Sequence, residues 1–216
     1  MDNTRLLEIT SAAERLFSHR GYHATTMRQV AGAVELQAGS LYAHISGKEA
    51  VLEAIVLRAA DEFEAAIRRV PADGAPETRL RAAMRAHIGV IAANLPAAKV
   101  YFHDWHHLPA PRLAEVLARR DAYEAVWRGI VADGVASGAF AAVDVRLTAR
   151  LCLSACNWIP QWYDPAGALD PDSLADAFCA VLLGGLASRP PAAGATSAHA
   201  PPPTAPPSLD PRSDTR

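Results

Sequence analysis

Residues 16–49 read LFSHRGYHATTMRQVAGAVELQAGSLYAHISGKE, and their spacing decides the fold. Just upstream and into this stretch, Leu6, Ile9, Ala13, Leu16 and Phe17 recur at three- and four-residue steps, which puts them on one face of a helix of about four turns. Gly21 ends that helix, because glycine adopts the left-handed backbone of a C-terminal stop without a Cβ penalty. Thr26-Met27-Arg28-Gln29 has the S/T-x-x-E/Q form of a capping box and predicts a second helix carrying Val30, Ala31 and Val34 on one side. Ser46-Gly47-Lys48-Glu49 has the same form and predicts a long helix, with Leu52, Ile55, Ala59 and Phe63 inward and a break in the 71–76 loop. The interval between the boxes holds only a turn and one short helix over 38–44. Five such elements in this order are the layout of a helix-turn-helix module.

Working outward, helical periodicity continues over 77–94, 97–107, 112–137, 144–163 and 174–187, with Pro111 and Pro171 at first-turn positions and Asp144 and Asp170 as N-caps. The expected fold is therefore all-α. Its organisation is a three-helix unit over 1–47, a helical domain over 48–187, and a disordered tail over 188–216 that holds eight of the sixteen prolines. Half of the 216 residues are hydrophobic, a fifth charged and only 6% aromatic, which is a globular, helix-leaning composition and excludes an all-β domain. Cys152, Cys156 and Cys179 are too few, and odd in number, for a disulfide framework, so they are expected reduced and buried. With no signal-type apolar segment and no membrane-length apolar run, the expected location is cytoplasmic. Net charge is −2, and residues 1–50 carry five basic against five acidic side chains, so bulk charge does not argue for a nucleic-acid partner. Placement has to carry that case.

Leu16 to Met27, Val30-Ala31 and Gly39 to Glu49 together resemble the DNA-binding domain of TetR-family transcriptional regulators. The resemblance implies roles position by position. Thr26 would cap the second helix against a phosphate, where free N–H groups and the helix dipole favour an anion. Arg28, Gln37, Ala38 and Ser40 would face base edges in the major groove. Tyr42 and His44 would contact the DNA backbone, and Lys48 would meet a phosphate. Two positions depart from the family pattern. Glu35 stands where the turn usually has glycine, and Gln37 stands where a Ser or Thr usually caps the recognition helix. For Gly21, Leu41 and Ile45 packing is the better reading, and Tyr42 could also cover the small core.

His103 and His107, four apart, invite a metal site, but no further ligand at suitable spacing accompanies them; no metal and no cofactor is expected. The 157–165 segment with the 174–186 helix is similar to a TetR subgroup that responds to coenzyme A thioesters. Trp105, Arg120, Tyr123, Trp158 and Trp162 are the candidate effector contacts that follow, although arginines are solvated by default and Trp158 and Trp162 could instead fill a dimer seam. Helices 144–163 and 174–187, the former apolar almost all round, are the expected homodimer interface. The implied function is a ligand-responsive regulator, a repressor that leaves a palindromic double-stranded operator when a small-molecule effector, such as an acyl-CoA thioester, binds. Two rivals remain: an enzyme on a helical bundle, for which no phosphate loop, Glu-x-x-His pair or nucleophile elbow is present, and a dimer with a degenerate module that binds only proteins.

Overall fold

The computed structural model describes residues 3–186, and every regular element among them is helical. In chain order these are α1 (Asn3–Arg20), α2 (Met27–Ala33), α3 (Ala38–Leu41), α4 (Lys48–Ile67), α5 (Pro76–Ala93), α6 (Leu95–His103), α7 (Ala110–Ala136), α8 (Val145–Asn157) and α9 (Pro171–Leu186). Single 3₁₀ turns, Trp105–His107 and Ile159–Gln161, follow α6 and α8. The tail expected over 188–216 lies outside the described residues. Among the described residues no helix is long and apolar enough to cross a membrane.

The local chemistry explains most of the boundaries. Gly21 takes φ +86° and its N–H closes on the Phe17 carbonyl at 2.8 Å, stopping α1. Thr26 and Gln29 form the capping box: the Gln29 N–H donates to the Thr26 hydroxyl at 3.3 Å, and the Thr26 N–H donates to Gln29 Oε1 at 2.8 Å. The box expected at Ser46 does not form. Gly47 is the N-cap of α4 and no side chain caps it. Asp144 does cap α8, accepting the Leu147 N–H at 2.8 Å, and Asp170 accepts the N–H groups of Asp172 and Ser173.

Two expected helices are shorter than their periodicity implied. The one over 144–163 stops at Asn157, because Pro160 has no N–H to continue the ladder, and a 3₁₀ turn takes over. The one over 97–107 starts earlier, at Leu95 behind the Asn94 cap, and breaks at Asp104. Nor is α8 covered on more than one side within this chain. Ala149, Cys152 and Cys156 are buried, whereas Leu147 and Leu151 are 65% and 60% exposed.

One core runs without interruption through both halves. α4 is its spine: Val51, Leu52, Ile55, Val56, Ala59 and Phe63 are buried against α1, α5, α6 and α7. α5 packs on α9 and α7 on α8, with Trp127 fully enclosed. All three cysteines are free and buried, and burial pushes their thiols up, Cys152 to about 11. Buried polar groups tie the halves together. Glu14 of α1 is 2% exposed and paired with Arg58 of α4, and it accepts from Asn94 Nδ2 at 3.1 Å. Asn94 Oδ1 caps α6 at the same time.

His87 of α5 is buried beside Phe63, Tyr123 and Trp127. Its Nε2 lies 3.0 Å from Asn157 Oδ1 and its Nδ1 2.9 Å from the Tyr123 hydroxyl. The carbonyl oxygen of Asn157 can only accept, so Nε2 carries the proton and Nδ1 accepts from Tyr123. Burial holds the imidazole neutral, lowering its pKa to about 3 despite the hydrogen bond it donates to Asn157, with Arg120 adding to the depression. Because the unfolded chain binds this proton near pH 6.5, the stability His87 supplies is complete above that value and declines as pH falls towards 3. Denaturant unfolding should therefore show a loss of about 2 kcal/mol from this group by pH 5, and His87→Gln should flatten that slope. A separate packing test is available at Gly134, where a Cβ would lie 2.1 Å from the Phe140 ring. Gly134→Ala should lower stability by about 1–3 kcal/mol, measured by thermal melting against wild type.

Candidate functional site

The first exposed surface is built on the shortest helix. α3 has four residues and an N-cap, Gln37, whose side chain makes no capping bond. It is held by Leu41, fully buried, and Ile45, which pack into the core formed by Ile9, Phe17, Val30 and Val51. Pinning the inward side leaves the rest outward: Gln37, Ser40 and Tyr42 are exposed, Tyr42 by 53%, while Ala38 and His44 are half-buried. Arg28, one residue into α2, and its cap Thr26 are exposed on the same stretch of chain. The Thr26 hydroxyl already donates its proton to Gln29 Oε1 and accepts the Gln29 N–H, so the free N–H groups at the start of α2 are what remain for an anion. Glu35 takes φ 55°, the left-handed conformation that the usual glycine would adopt without strain. Its N–H still closes on the Gly32 carbonyl at 3.3 Å, and the Leu36 N–H closes on Ala31 at 2.9 Å, so the turn survives.

Lys48 is tethered more tightly than an exposed lysine. Its Nζ donates to the His23 carbonyl at 3.2 Å and sits 4.3 Å from the centre of the Tyr22 ring. Burial lowers its pKa, and Asp104 opposes the shift.

The second site is a cavity of about 270 Å³ between α4, α5, α6, α7 and α8. Aromatic walls come from Phe63, Tyr101, Phe102, Trp105 and Tyr123; the neutral polar groups among them are His87, Asn157 and Ser154, and the carboxylates of Asp121 and Glu124 also line the cavity. Arg120 lies at the edge, its guanidinium 5.0 Å from the Trp105 ring centre and 5.3 Å from that of Tyr101. Its neighbour Arg119 is instead tied to Asp61 and Glu64 on α4. Arg150 also lines the cavity and reaches Glu124 at 3.3 Å.

Of the five residues expected to meet an effector, the structure thus brings Trp105, Arg120 and Tyr123 together. Trp158 and Trp162 do not line this cavity. Trp158, 61% exposed, borders a separate groove with Phe17 and Lys99, and Trp162 approaches Phe178 of α9 at 6.3 Å between ring centres. The reason is the break at Pro160, which turns the segment after Asn157 away from the line of α8. His87 is not among the residues the sequence singles out, and Asn157 enters only as the first residue of the 157–165 segment, not as a contact; the available signal for His87 is a histidine among Leu80, Met84, Ile88 and Ile91 on the apolar side of α5. His103 and His107 face different partners, Gln161 and His23, and no three metal-binding side chains converge among the described residues.

Residues 9–55 match the family model "Bacterial regulatory proteins, tetR family", and residues 73–186 match "Tetracyclin repressor-like, C-terminal domain". The HTH-type transcriptional repressor KstR2 of Rhodococcus jostii (strain RHA1) is 31% identical over 188 residues, covering 85% of this chain and 92% of the relative. The ketosteroid transcriptional regulator KstR2 of Mycobacterium tuberculosis superposes with a TM-score of 0.81 at 26% identity, over 88% of this chain and 98% of the other. AibR, solved in complex with isovaleryl coenzyme A and operator DNA, superposes at 0.75 with 30% identity, over 83% and 98%. This chain belongs to the TetR family of bacterial transcriptional regulators.

Proposed function

We propose that the protein is a homodimeric repressor that binds a palindromic operator and leaves it when an acyl-CoA thioester fills the cavity. The observation that carries the DNA half is the reader surface: Leu41 is enclosed while Gln37, Ser40 and Tyr42, on and beside the same four-residue helix, face out. Residues 1–47 act as the reader and 48–187 as the effector and dimer domain, with α4 spanning between them. Two copies of α3, presented about 34 Å apart, enter successive major grooves on one side of the duplex. Arg28, Gln37, Ala38 and Ser40 meet base edges; Thr26, Tyr42, His44 and Lys48 meet the backbone. Neutral side chains and backbone N–H groups carry much of this contact, which fits a module with no net positive charge.

Dimerisation uses α8 and α9. Leu147, Leu151 and Val181 are exposed on these helices, and Trp162 just after α8 is also exposed and approaches Phe178 of α9, apolar surface that a partner would take from water. We infer the effector from the cavity's chemistry and from AibR. A space of about 270 Å³ equals about nine water volumes, which suits a compact acyl chain. Asn157 and Ser154 can donate to a thioester carbonyl, and Arg120 at the edge suits the anionic remainder of coenzyme A, whereas Arg150 is already paired with Glu124. No catalytic step is assigned, and a protein that binds an operator works in the cytoplasm, where the DNA is. Since effector binding weakens operator binding, operator must weaken effector binding by the same factor.

Fluorescence anisotropy with the protein's own upstream DNA tests the reader. Specific binding should survive competitor DNA and fall steeply with salt. Tyr42→Ala and Lys48→Ala should each weaken it by about tenfold with the dimer intact by light scattering, and Lys48→Ala should lower the salt slope by about 1. Wild-type affinity in both variants would remove these contacts. For the cavity, isovaleryl-CoA should displace the operator where free coenzyme A and free isovalerate do not. Arg120→Gln should raise the concentration needed by about tenfold or more without altering operator affinity in the absence of effector. Equal potency of free coenzyme A would overturn the acyl reading.

A further inference from the structure

The 3₁₀ turn Trp105–His107 lies between the cavity and the reader. Trp105 lines the cavity, but His107 leaves it and meets the first fifty residues. Its ring stacks on Tyr22 with centroids 5.2 Å apart and planes 14° from parallel, and its Nδ1 lies 3.2 Å from Nε2 of His23. Tyr22 and the His23 carbonyl are the same two groups that hold Lys48. Neither the reader surface nor the cavity uses the two imidazoles, yet they make a direct side-chain hydrogen bond between the halves.

We propose that His23 and His107 form a proton-operated latch between reader and effector domain, closed while at least one of the two facing nitrogens is unprotonated and open when both carry protons. At 3.2 Å one nitrogen must accept from the other. A single proton between them satisfies this. A second makes both nitrogens donors and sets two cations in contact. The surroundings postpone that second proton but do not prevent it. The His106 ring lies 3.9 Å from that of His107, and Lys48 adds a further cation, while Asp104 is the half-buried carboxylate facing His23, His103, His106 and Lys48. Glu49 and Glu53 of α4 line the same recess. Burial first, then the charges on His106, His23 and Lys48, lower the pKa of His107, and burial raises that of Asp104, so its counter-charge weakens in acid. Because burial and the neighbouring cations lower the pKa of His107, opening falls below the ordinary histidine value of about 6.5. Without this contact the reader stays packed on the shared core but its position against the 3₁₀ turn is less fixed, and that added freedom must be lost before two heads engage one duplex, so operator affinity drops with the latch.

His23→Gln separates the latch from simple charge, because an amide oxygen accepts from His107 in either protonation state. Charge alone predicts that wild type, with one more cation in acid, outbinds His23→Gln on operator DNA at pH 5; the latch predicts that wild type loses about tenfold more affinity than the variant between pH 7.5 and 5. A second readout needs no DNA. Ala33 and Ala114 are exposed and the native cysteines are buried, so nitroxides on Ala33→Cys and Ala114→Cys report the α2 to α7 distance in spin-diluted dimers. With EDTA present, wild type should show one narrow distance at pH 7.5 and an added longer population at pH 5, while His23→Gln stays narrow at both. A wild-type distance that does not respond to pH, a broadening shared equally by His23→Gln, or a response that requires added zinc would each overturn the latch. If operator binding is absent even at pH 7.5, the DNA reading fails and the distance measurement still decides the latch.

Discussion

A helix of four residues cannot hold its own shape in water, because one turn fixes more backbone freedom than its hydrogen bonds return. In this protein α3 exists because Leu41 and Ile45 are buried in a core supplied by α1, α2 and α4. That constraint organises everything presented to a duplex. With the inward side anchored by packing, the outward positions are free to carry Gln37, Ser40 and Tyr42, none chosen for helix stability. It also explains why two unfavourable local choices are tolerated. Glu35 at positive φ and an uncapped α3 each cost on the order of 1 kcal/mol, and the surrounding apolar burial exceeds that several times over.

The same core continues into the C-terminal helices, so the two halves are not independent bodies joined by a linker. α4 contributes buried side chains to both, and the Glu14, Arg58 and Asn94 cluster fastens α1 to the cap of α6. α6 and its following turn then supply three cavity walls, Tyr101, Phe102 and Trp105. An occupant of the cavity therefore presses on an element already bonded to the reader, which is the physical requirement for two sites to bias one equilibrium. The polar interior serves the same end: His87, kept neutral, is a fixed donor and acceptor between Tyr123 and Asn157, not a charge that would demand solvent.

Proline placement accounts for the largest disagreement between periodicity and structure. Residues 144–163 repeat apolar side chains at helical spacing, so Trp158 and Trp162 read as neighbours on one helix. Pro160 interrupts the ladder, the chain turns, and both rings end outside the cavity. The apolar side of α8 that was expected to be covered is open within one chain, at Leu147 and Leu151, and it is the side we assign to the second protomer.

Sequence alone determined what depends on neighbours within a few positions: the α1 stripe, the Gly21 stop, the Thr26 capping box, the Asp144 and Asp170 caps, the all-helical class, and the ordered run of side chains that resembles a family. These are local because capping and periodicity act over one or two turns. Tertiary structure decided what needs residues far apart in the chain. It placed Trp105, Arg120 and Tyr123 around one cavity with the unforeseen His87 and Asn157, separated His103 from His107, and set His107 against His23 across an interval of 84 positions. No spacing rule reaches that far, because which faces of packed helices meet is set by the shape of the shared core, not by any single stretch of chain.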